Sequence, residues 1–411
     1  MMTESRLPLD GLRVVDFSLL AAGPAAGKML ADYGAEVICV ESETNIVNAG
    51  GSRQAGPPGK SPINTAYFHN KYNPNKLSIT IDLSLEHGRE VLHRLVGVSD
   101  VFLANRRQSV VDKLGGSYEA LKAIKPDLIY LNMPTMGEGG PRSFYSGVSW
   151  GIQAMAGLNM ISGFPDRMPT SPSPYSHPDV SCNPLHAVVS IMAALRHKRR
   201  TGEGQMIELA QYESTICWTG PAVLTYTVTG KLPDRPGNRH PSAAPHDVYP
   251  CNDEDGWVAI AVFTDEQWVA LANAISRPEL ANDARYATVL ARKAHEDDFR
   301  AIIAPWTSTR GRRETAQALQ AAGVPAGPVN NFDELLHHDP QLKERGVWTE
   351  IEHPELDTAL FEDWGFQLSR VIDRPRYRAP LLGEHNDYVF QEIIGMSEDE
   401  VNDLLIEGVL R

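Results

Sequence analysis

Asp179 stands in the stretch Ser176-His177-Pro178-Asp179, directly ahead of a run in which Leu185, Val188, Val189, Met192 and Leu195 recur at offsets of three and four. That period belongs to a helix with one buried face. A carboxylate just before such a helix feels the positive end of the helix macrodipole and unpaired backbone N–H groups. It therefore stays ionised at neutral pH and is available as a nucleophile. The same place in a chain also suits a plain helix cap, and Asn183-Pro184 offers a second cap followed by a proline at the first helical position. From this stretch alone, nucleophile and cap both stand.

A second set of chemical groups is Asn105-Arg106-Arg107, with Lys113 further on. Guanidinium forks match phosphate oxygens, so the set is a candidate anion site as well as ordinary surface charge. Other candidates read less well. Gly59-Lys60-Ser61 resembles the end of a phosphate-binding P-loop, but Gln54 occupies the first glycine position, two prolines interrupt the loop and no strand precedes it. Cys182 and His186 lie one helical turn apart, a spacing that fits packing better than a thiol nucleophile. His240 and His246 have no third residue at metal-ligand spacing.

The elements that position these groups follow from alternation along the chain. Arg13 to Phe17 reads as a strand, Pro24 to Tyr33 as a helix with Pro24 at its first position, and Ala35 to Glu41 as a second strand. This is a βαβ unit with parallel strands. Its turn, Ala21-Ala22-Gly23-Pro24, lacks the G-x-G-x-x-G fingerprint and spends one N–H donor on proline, which argues against NAD. Thr44 to Tyr72 reads as a surface excursion. Leu77 to Leu83 is a strand, Ser84 caps a helix from Leu85 to Val96, and Asp100 to Ala104 is a strand. Tyr118 to Ile124 is a helix, Leu128 to Asn132 and Gln205 to Leu209 are strands, and Tyr212 to Thr229 is largely helical. Ligands of such sheets bind beyond the carboxyl ends of the strands, where Asn105 stands. Around Gly230 a Pro- and Gly-containing loop opens a second unit. It holds a hairpin, 246–250 with 257–263, then helices near 265–274, 291–304 and 313–322, and the chain leaves it after Gly323-Val324-Pro325-Ala326-Gly327-Pro328. One more helix is expected near 386–394.

Composition narrows the class. The chain has 411 residues, enough for two cores. Lys plus Arg is 38 and Asp plus Glu is 52, a net charge of −14, which argues against nucleic acid or an anionic membrane as partner. Cys39, Cys182, Cys217 and Cys251 are scattered without C-x-x-C pairing, so no disulfide framework or zinc site is expected. With no apolar signal-type stretch near Met1, the expected location is the cytoplasm.

The order of several stretches resembles the class III coenzyme A transferases, the family of formyl-CoA transferase and carnitine CoA-transferase, which also contains α-methylacyl-CoA racemase. The stretches are Leu9-Asp10-Gly11-Leu12-Arg13-Val14-Val15-Asp16-Phe17 with Ala22-Gly23-Pro24, Gly34 to Glu41, Asn75-Lys76-Leu77-Ser78 with Asp82-Leu83, the Asn105 stretch, Thr201-Gly202-Glu203-Gly204-Gln205, Gly237-Asn238, and Pro380-Leu381-Leu382-Gly383-Glu384-His385. The resemblance implies an α/β fold: a Rossmann-like large CoA-binding domain with a mostly parallel sheet, built from residues 1–225 and 331–411, and a smaller α+β domain, 226–330. It further implies an interlocked homodimer. The implied reaction moves CoA from an acyl-CoA to a carboxylic acid with Asp179 as the nucleophile, through an aspartyl anhydride and an aspartyl-CoA thioester. Coenzyme A enters as a substrate, with no permanently bound cofactor and no metal.

The resemblance also assigns the CoA contacts. It places the nucleotide end over Ala21, Ala22, Ser42, Ile81, Asp82, Leu83, Ser84, Asn105, Arg106, Arg107 and Lys113. The pantetheine would run past Ser146, Gly147, Val148 and Ser149, and Gly237-Asn238 would cover the acyl end. Relatives often carry Phe or Pro within the stretch that here reads Asn105 to Ser109. The racemases use a His near position 148, where Val148 cannot exchange protons, and a CoA-binding subunit without turnover would not require Asp179. The Met, Trp and Tyr content of Trp150 to Pro174 points to acids larger than formate or oxalate.

Overall fold

The computed structural model describes residues 7–42, 57–60, 62–172, 177–371 and 376–410. Ser176, Gln54, Gly56 and Ser61 lie outside these residues. Two compact units divide the chain: residues 1–158, 171–232 and 345–411 form the first, and residues 159–170 with 233–344 form the second.

The first unit is built on six strands, β1 (Arg13–Phe17), β2 (Glu36–Glu41), β3 (Leu77–Thr80), β4 (Val101–Ala104), β5 (Ile129–Asn132) and β6 (Gln205–Glu208). They lie in the order β3-β2-β1-β4-β5-β6, and every pairing is parallel, with Val14 opposite Val37 on one side and Val101 on the other. The order reverses between β1 and β4, where an open α/β sheet forms a crevice at its carboxyl edge. Strands buried on both faces are continuously apolar, and alternate residues serve different cores. Val15, Phe17, Ile38, Phe102 and Tyr130 face helices α3 (Glu86–Gly97), α4 (Gln108–Lys113) and α5 (Tyr118–Ile124). Val14, Val37, Val101 and Leu131 face α1 (Ala22–Ala31) and the long helix α8 (Cys182–Thr201). Between these lie α2 (Tyr67–Tyr72), α6 (Ser149–Met155) and a single turn, α7 (His177–Val180); α9 (Gln211–Ile216) and α10 (Gly220–Thr229) follow β6.

All ten residues of α1 are buried. Its small side chains let the helix lie close to the sheet, and at Gly27 an added Cβ would stand 2.5 Å from Asp16 Oδ2. That space is used by a buried ion pair, Lys76 Nζ to Asp16 Oδ2 at 2.9 Å. The same ammonium donates to Pro24 O at 2.7 Å and Asn73 Oδ1 at 2.9 Å, which satisfies all three of its protons. A second buried lysine, Lys28, pairs with Asp32 at 2.5 Å and donates to Glu362 O. Burial pushes the Lys28 ammonium down and the Asp32 carboxyl up, and their mutual attraction opposes both shifts.

The end of the chain completes this unit. A hairpin, β10 (Trp348–His353) with β11 (Asp357–Glu362), is followed by Trp364, whose indole donates to Asp32 Oδ2 at 2.7 Å. Residues 383–386 then bond the free edge of β3: His385 N reaches Ser78 O at 3.0 Å, and Asn386 exchanges two 2.9 Å bonds with Thr80. An otherwise open strand edge is covered this way.

The second unit is a three-stranded antiparallel sheet, β7 (His246–Pro250), β8 (Trp257–Ala261) and β9 (Ala326–Pro328), packed on helices Asp265–Ala274, Phe299–Thr307 and Arg312–Ala321. Trp268, Tyr286 and Phe299 form its aromatic centre.

Several local expectations need correction. Pro24 is the third residue of α1, because the helix starts at Ala22. Ser84 does not cap α3; its hydroxyl and N–H both turn back to Asp82 Oδ1, and Leu85 occupies the cap position. Asn183 and Pro184 lie inside α8, which starts at Cys182. The expected helix at 386–394 is a short π-helical turn, Tyr388–Ile393, followed by a helix at Glu398–Ile406 that carries a full capping box from Ser397 and Glu400.

Removing one partner of the Lys76 ion pair leaves a buried charge uncompensated, so Lys76→Met is expected to lower unfolding stability in urea by about 3–5 kcal/mol. Adding Asp16→Asn to the same chain should recover part of that loss.

Candidate active site

The β1–α1 turn is the most constrained backbone of the site. Ser18 folds back on Asp16 Oδ1 through its N–H and its hydroxyl. Asn105, at the end of β4, clasps Leu19 from across the crevice: Leu19 N donates to Asn105 Oδ1 at 2.7 Å, and Asn105 Nδ2 donates to Leu19 O at 2.8 Å. Leu20 is thereby held at φ +62°, a conformation that costs a non-glycine residue energy. Ala21 and Ala22 follow at the start of α1, both buried. An added Cβ at Gly23 would meet Ser18 Cβ at 2.2 Å, so glycine is required for this approach.

Arg106 departs from its neighbour Arg107, which is exposed. Its guanidinium lies over the Phe17 ring at 4.2 Å, with Nε donating to Phe17 O at 3.2 Å. Burial lowers its pKa to about 10, partly offset by the Asp16 charge, so it remains a cation at neutral pH. Its terminal nitrogens have no acceptor among the described residues and form an open fork of donors beside the crevice.

Asp179 sits half-buried on α7, which packs against α1, α6 and α8. The backbone breaks at Ser181 (φ −125°, ψ −76°) before α8 begins, so Asp179 belongs to a separate turn three residues ahead of the long helix. His177, on the same turn, meets the Trp218 ring edge-on at 4.9 Å. The Tyr72 phenol feels the charge of this carboxylate. This phenol is buried with Ala21 and Ala25, and its pKa is pushed up to about 12 by burial first and by the Asp179 charge second. The turn that carries Asp179 packs against α1, whose start adjoins this phenol.

The sheet brings most of the expected CoA stretches to one edge. Ala21 and Ala22 follow β1, Ser42 follows β2, Ile81 to Ser84 follow β3, and Asn105 to Arg107 follow β4, all at carboxyl ends of parallel strands. Lys113 ends α4 and is exposed. Ser146, Gly147 and Val148 are exposed ahead of α6, whereas Ser149 is its buried first residue. Gly237 and Asn238 belong to the second unit. There Asn238 Nδ2 donates to Asp247 Oδ1 at 2.8 Å, and both residues adjoin a cavity of about 460 Å³.

Cys182 is fully buried with its thiol raised by burial, and it contacts Pro178 O and Thr215 Oγ1. His186 bonds Ser214 instead. Both fit packing. His240 and His246 meet the Phe263 ring edge-on, and His246 Nδ1 is bonded to Asn238 O at 2.5 Å. Among the described residues no group of three or more His, Cys, Asp or Glu is placed to hold a metal ion.

Sequence reasoning missed Tyr72 and the Asn105–Leu19 clasp. Tyr67, Phe68 and Tyr72 form an aromatic run just before Asn73-Pro74, inside what reads as a surface excursion, and of these three only Tyr72 is buried. The clasp leaves no local signature, because its partners are far apart in the chain.

The model of CoA-transferase family III matches residues 9–386. Succinate–glutarate CoA-transferase of Agrobacterium fabrum is 34% identical, over 95% of this chain and 97% of its own length. Succinyl-CoA–D-citramalate CoA-transferase of Chloroflexus aurantiacus is 32% identical over 98% of each. The crystal structure of a CaiB/BaiF family protein from Brucella suis superposes with a TM-score of 0.85 at 34% identity, covering 94% of this chain and all of that one. On this match of sequence and fold, the chain belongs to CoA-transferase family III and is a transferase.

Proposed function

We propose that this enzyme transfers CoA from an acyl-CoA to a free carboxylic acid, with Asp179 as the nucleophile. One observation supports the reading: a half-buried carboxylate stands on a turn packed against α1, the helix that starts at the carboxyl end of β1, and its charge is felt by the Tyr72 phenol buried with Ala21 and Ala25. In the reaction an Asp179 oxygen attacks the thioester carbonyl carbon. The C–S bond breaks, CoA leaves as thiolate, and a mixed anhydride remains. The thiolate then attacks the Asp179 carbonyl, releasing the donor acid and leaving an aspartyl-CoA thioester. The acceptor carboxylate runs both steps in reverse and restores the Asp179 carboxylate. Dividing one difficult exchange into thioester and anhydride steps is nucleophilic catalysis, and it consumes no ATP.

The large unit is the CoA-binding domain in this reading. Arg106, Arg107 and Lys113 meet phosphate oxygens, and Ala21, Ala22, Ser42, Ile81, Asp82, Leu83, Ser84 and Asn105 line the nucleotide path. Ser146, Gly147, Val148 and Ser149 border the pantetheine, and the Gly237-Asn238 loop covers the acyl end, excluding water that would hydrolyse the anhydride. The relatives are named for succinyl-CoA, glutarate, citramalate, malate and mesaconate, which supports dicarboxylic acids as the acids exchanged here.

The working form is a homodimer, interlocked as the family resemblance implies. What supports a partner is the surface of α10, in which no residue is buried and Val223, Leu224, Tyr226 and Val228 are exposed, Val228 by 82%. Leu185, Val189 and Met192 of α8 are exposed as well. A helix that exposes several large apolar side chains is more stable when covered, and patches of this kind mark protein interfaces.

Two tests follow. Asp179→Ala is expected to abolish transfer while CoA affinity, read by calorimetry, stays within a few-fold of the parent; transfer at the parental rate would refute the nucleophile. Sedimentation velocity should show a dimer, and Leu224→Asp with Val228→Asp should shift it to monomer; an unchanged dimer would place the interface elsewhere.

A further inference from the structure

β5 is completely buried, and its last residue is a polar one, Asn132. A buried amide needs partners for its oxygen and for its nitrogen. Asn132 stands opposite Ala104, the last residue of β4, and its side chain serves the segment that leaves β4 there. Arg106 N donates to Asn132 Oδ1 at 3.2 Å, and Asn132 Nδ2 donates to Gln108 Oε1 at 2.8 Å. Gln108 Nε2 in turn donates to Asp112 Oδ1 at 2.7 Å and to the Tyr130 hydroxyl at 3.1 Å.

The direction of this relay is set at its ends. A backbone N–H only donates and a carboxylate only accepts, so neither amide can turn over without putting donor against donor and acceptor against acceptor. Asp112 thereby orients Gln108, Gln108 orients Asn132, and Asn132 holds the backbone of Arg106. The tie is needed because α4, only six residues long, has no side-chain cap on its first turn. The Arg106 side chain is fixed independently, by Nε bonded to Phe17 O at 3.2 Å and by the Phe17 ring 4.2 Å from the guanidinium carbon. Held at both ends, it leaves its terminal nitrogens as an aimed pair of donors. We propose that Asp112, Gln108 and Asn132 are positioning residues for the Arg106 fork, which they aim at phosphate oxygens of the CoA nucleotide. This rests on the reading that Arg106 meets those oxygens. A guanidinium gains from aim in a way that a point charge does not, because its donors are fixed in one plane. The three residues act through Arg106 and not on the ligand.

Calorimetric affinities for CoA and for pantetheine, which carries no phosphate, test the role. Asn132→Leu and Asp112→Leu are each expected to weaken CoA binding by about 10-fold, the scale of one hydrogen bond to a charged group, and to leave pantetheine binding unchanged. Asp112→Asn keeps an acceptor for Gln108 while removing a negative charge, so it should bind CoA at least as tightly as the parent. Loss of charge alone would have the same effect in Asp112→Leu, so the split between the two variants reads the relay. Asp112 is exposed, and its replacement spares the core; thermal unfolding is measured beside the buried Asn132→Leu. Asp112→Leu binding CoA as tightly as Asp112→Asn would overturn the inference, as would equal weakening of CoA and pantetheine in Asn132→Leu. Arg106→Met, titrated in the same series, separates the two claims. If it keeps the parental CoA affinity, the phosphate reading of Arg106 is wrong and the inference falls with it. If it weakens CoA while Asp112→Leu and Asn132→Leu keep the parental affinity, only the positioning role is wrong.

Discussion

The Lys76 ammonium is buried with no water to fall back on, and much of the first unit is arranged to satisfy it. Its three acceptors, Asp16, Pro24 O and Asn73, come from the end of β1, the first turn of α1 and the turn after α2. Fixing those three points fixes the crevice. Asp16 also accepts from Ser18 and so shapes the β1–α1 turn; Asn73 follows Tyr72, the phenol that feels the Asp179 charge. Gly27 is glycine because the ion pair occupies the space a side chain would need. A pair this deep contributes little net stability by itself, since desolvation offsets most of the attraction. What it contributes is a single arrangement, because every alternative leaves a charge alone.

The ends of the chain obey the same logic. Lys28 and Asp32 would be expensive to bury apart, and they are held together by contacts from the tail: Glu362 O, the Trp364 indole, and the Phe361 and Trp364 rings beneath the ammonium. The tail then covers the β3 edge with backbone and Asn386 bonds. A discontinuous unit is the outcome: residues more than three hundred positions apart in sequence complete one sheet and one helix environment.

The sheet was legible from sequence because strands buried on both faces are uniformly apolar and the helices between them keep a 3.6-residue period. β1, β2, β4 and β5 lie where alternation puts them, and the hairpin 246–250 with 257–261 follows its Asn252-Asp253-Glu254-Asp255-Gly256 turn. Local chemistry was less reliable at helix ends. Ser84 carries a capping side chain, but Asp82 two residues earlier competes for its N–H and hydroxyl and wins. Of the candidate stretches, 21–22, 42, 81–84 and 105–107 each follow a strand and so were legible as positions at one sheet edge, but their mutual geometry was not. The clasp of Leu19 by Asn105 and the Gln153–Ser171 bond join residues that sequence spacing does not relate.

Membership of CoA-transferase family III, a half-buried carboxylate on a turn packed against α1 and a fork of cationic donors at the end of β4 converge on one proposed chemistry, in which Asp179 forms covalent intermediates in turn with the acid and with CoA. Oxygen tracing tests this directly. When the acceptor acid carries oxygen-18 in its carboxylate, its attack on the aspartyl thioester makes labelled oxygen the bridge of the anhydride, and thiolate attack on the acceptor carbonyl leaves that oxygen on Asp179. Mass spectrometry of the peptide containing Asp179 after turnover should therefore find oxygen-18 on its side chain. An unlabelled Asp179 after productive turnover would contradict the covalent role.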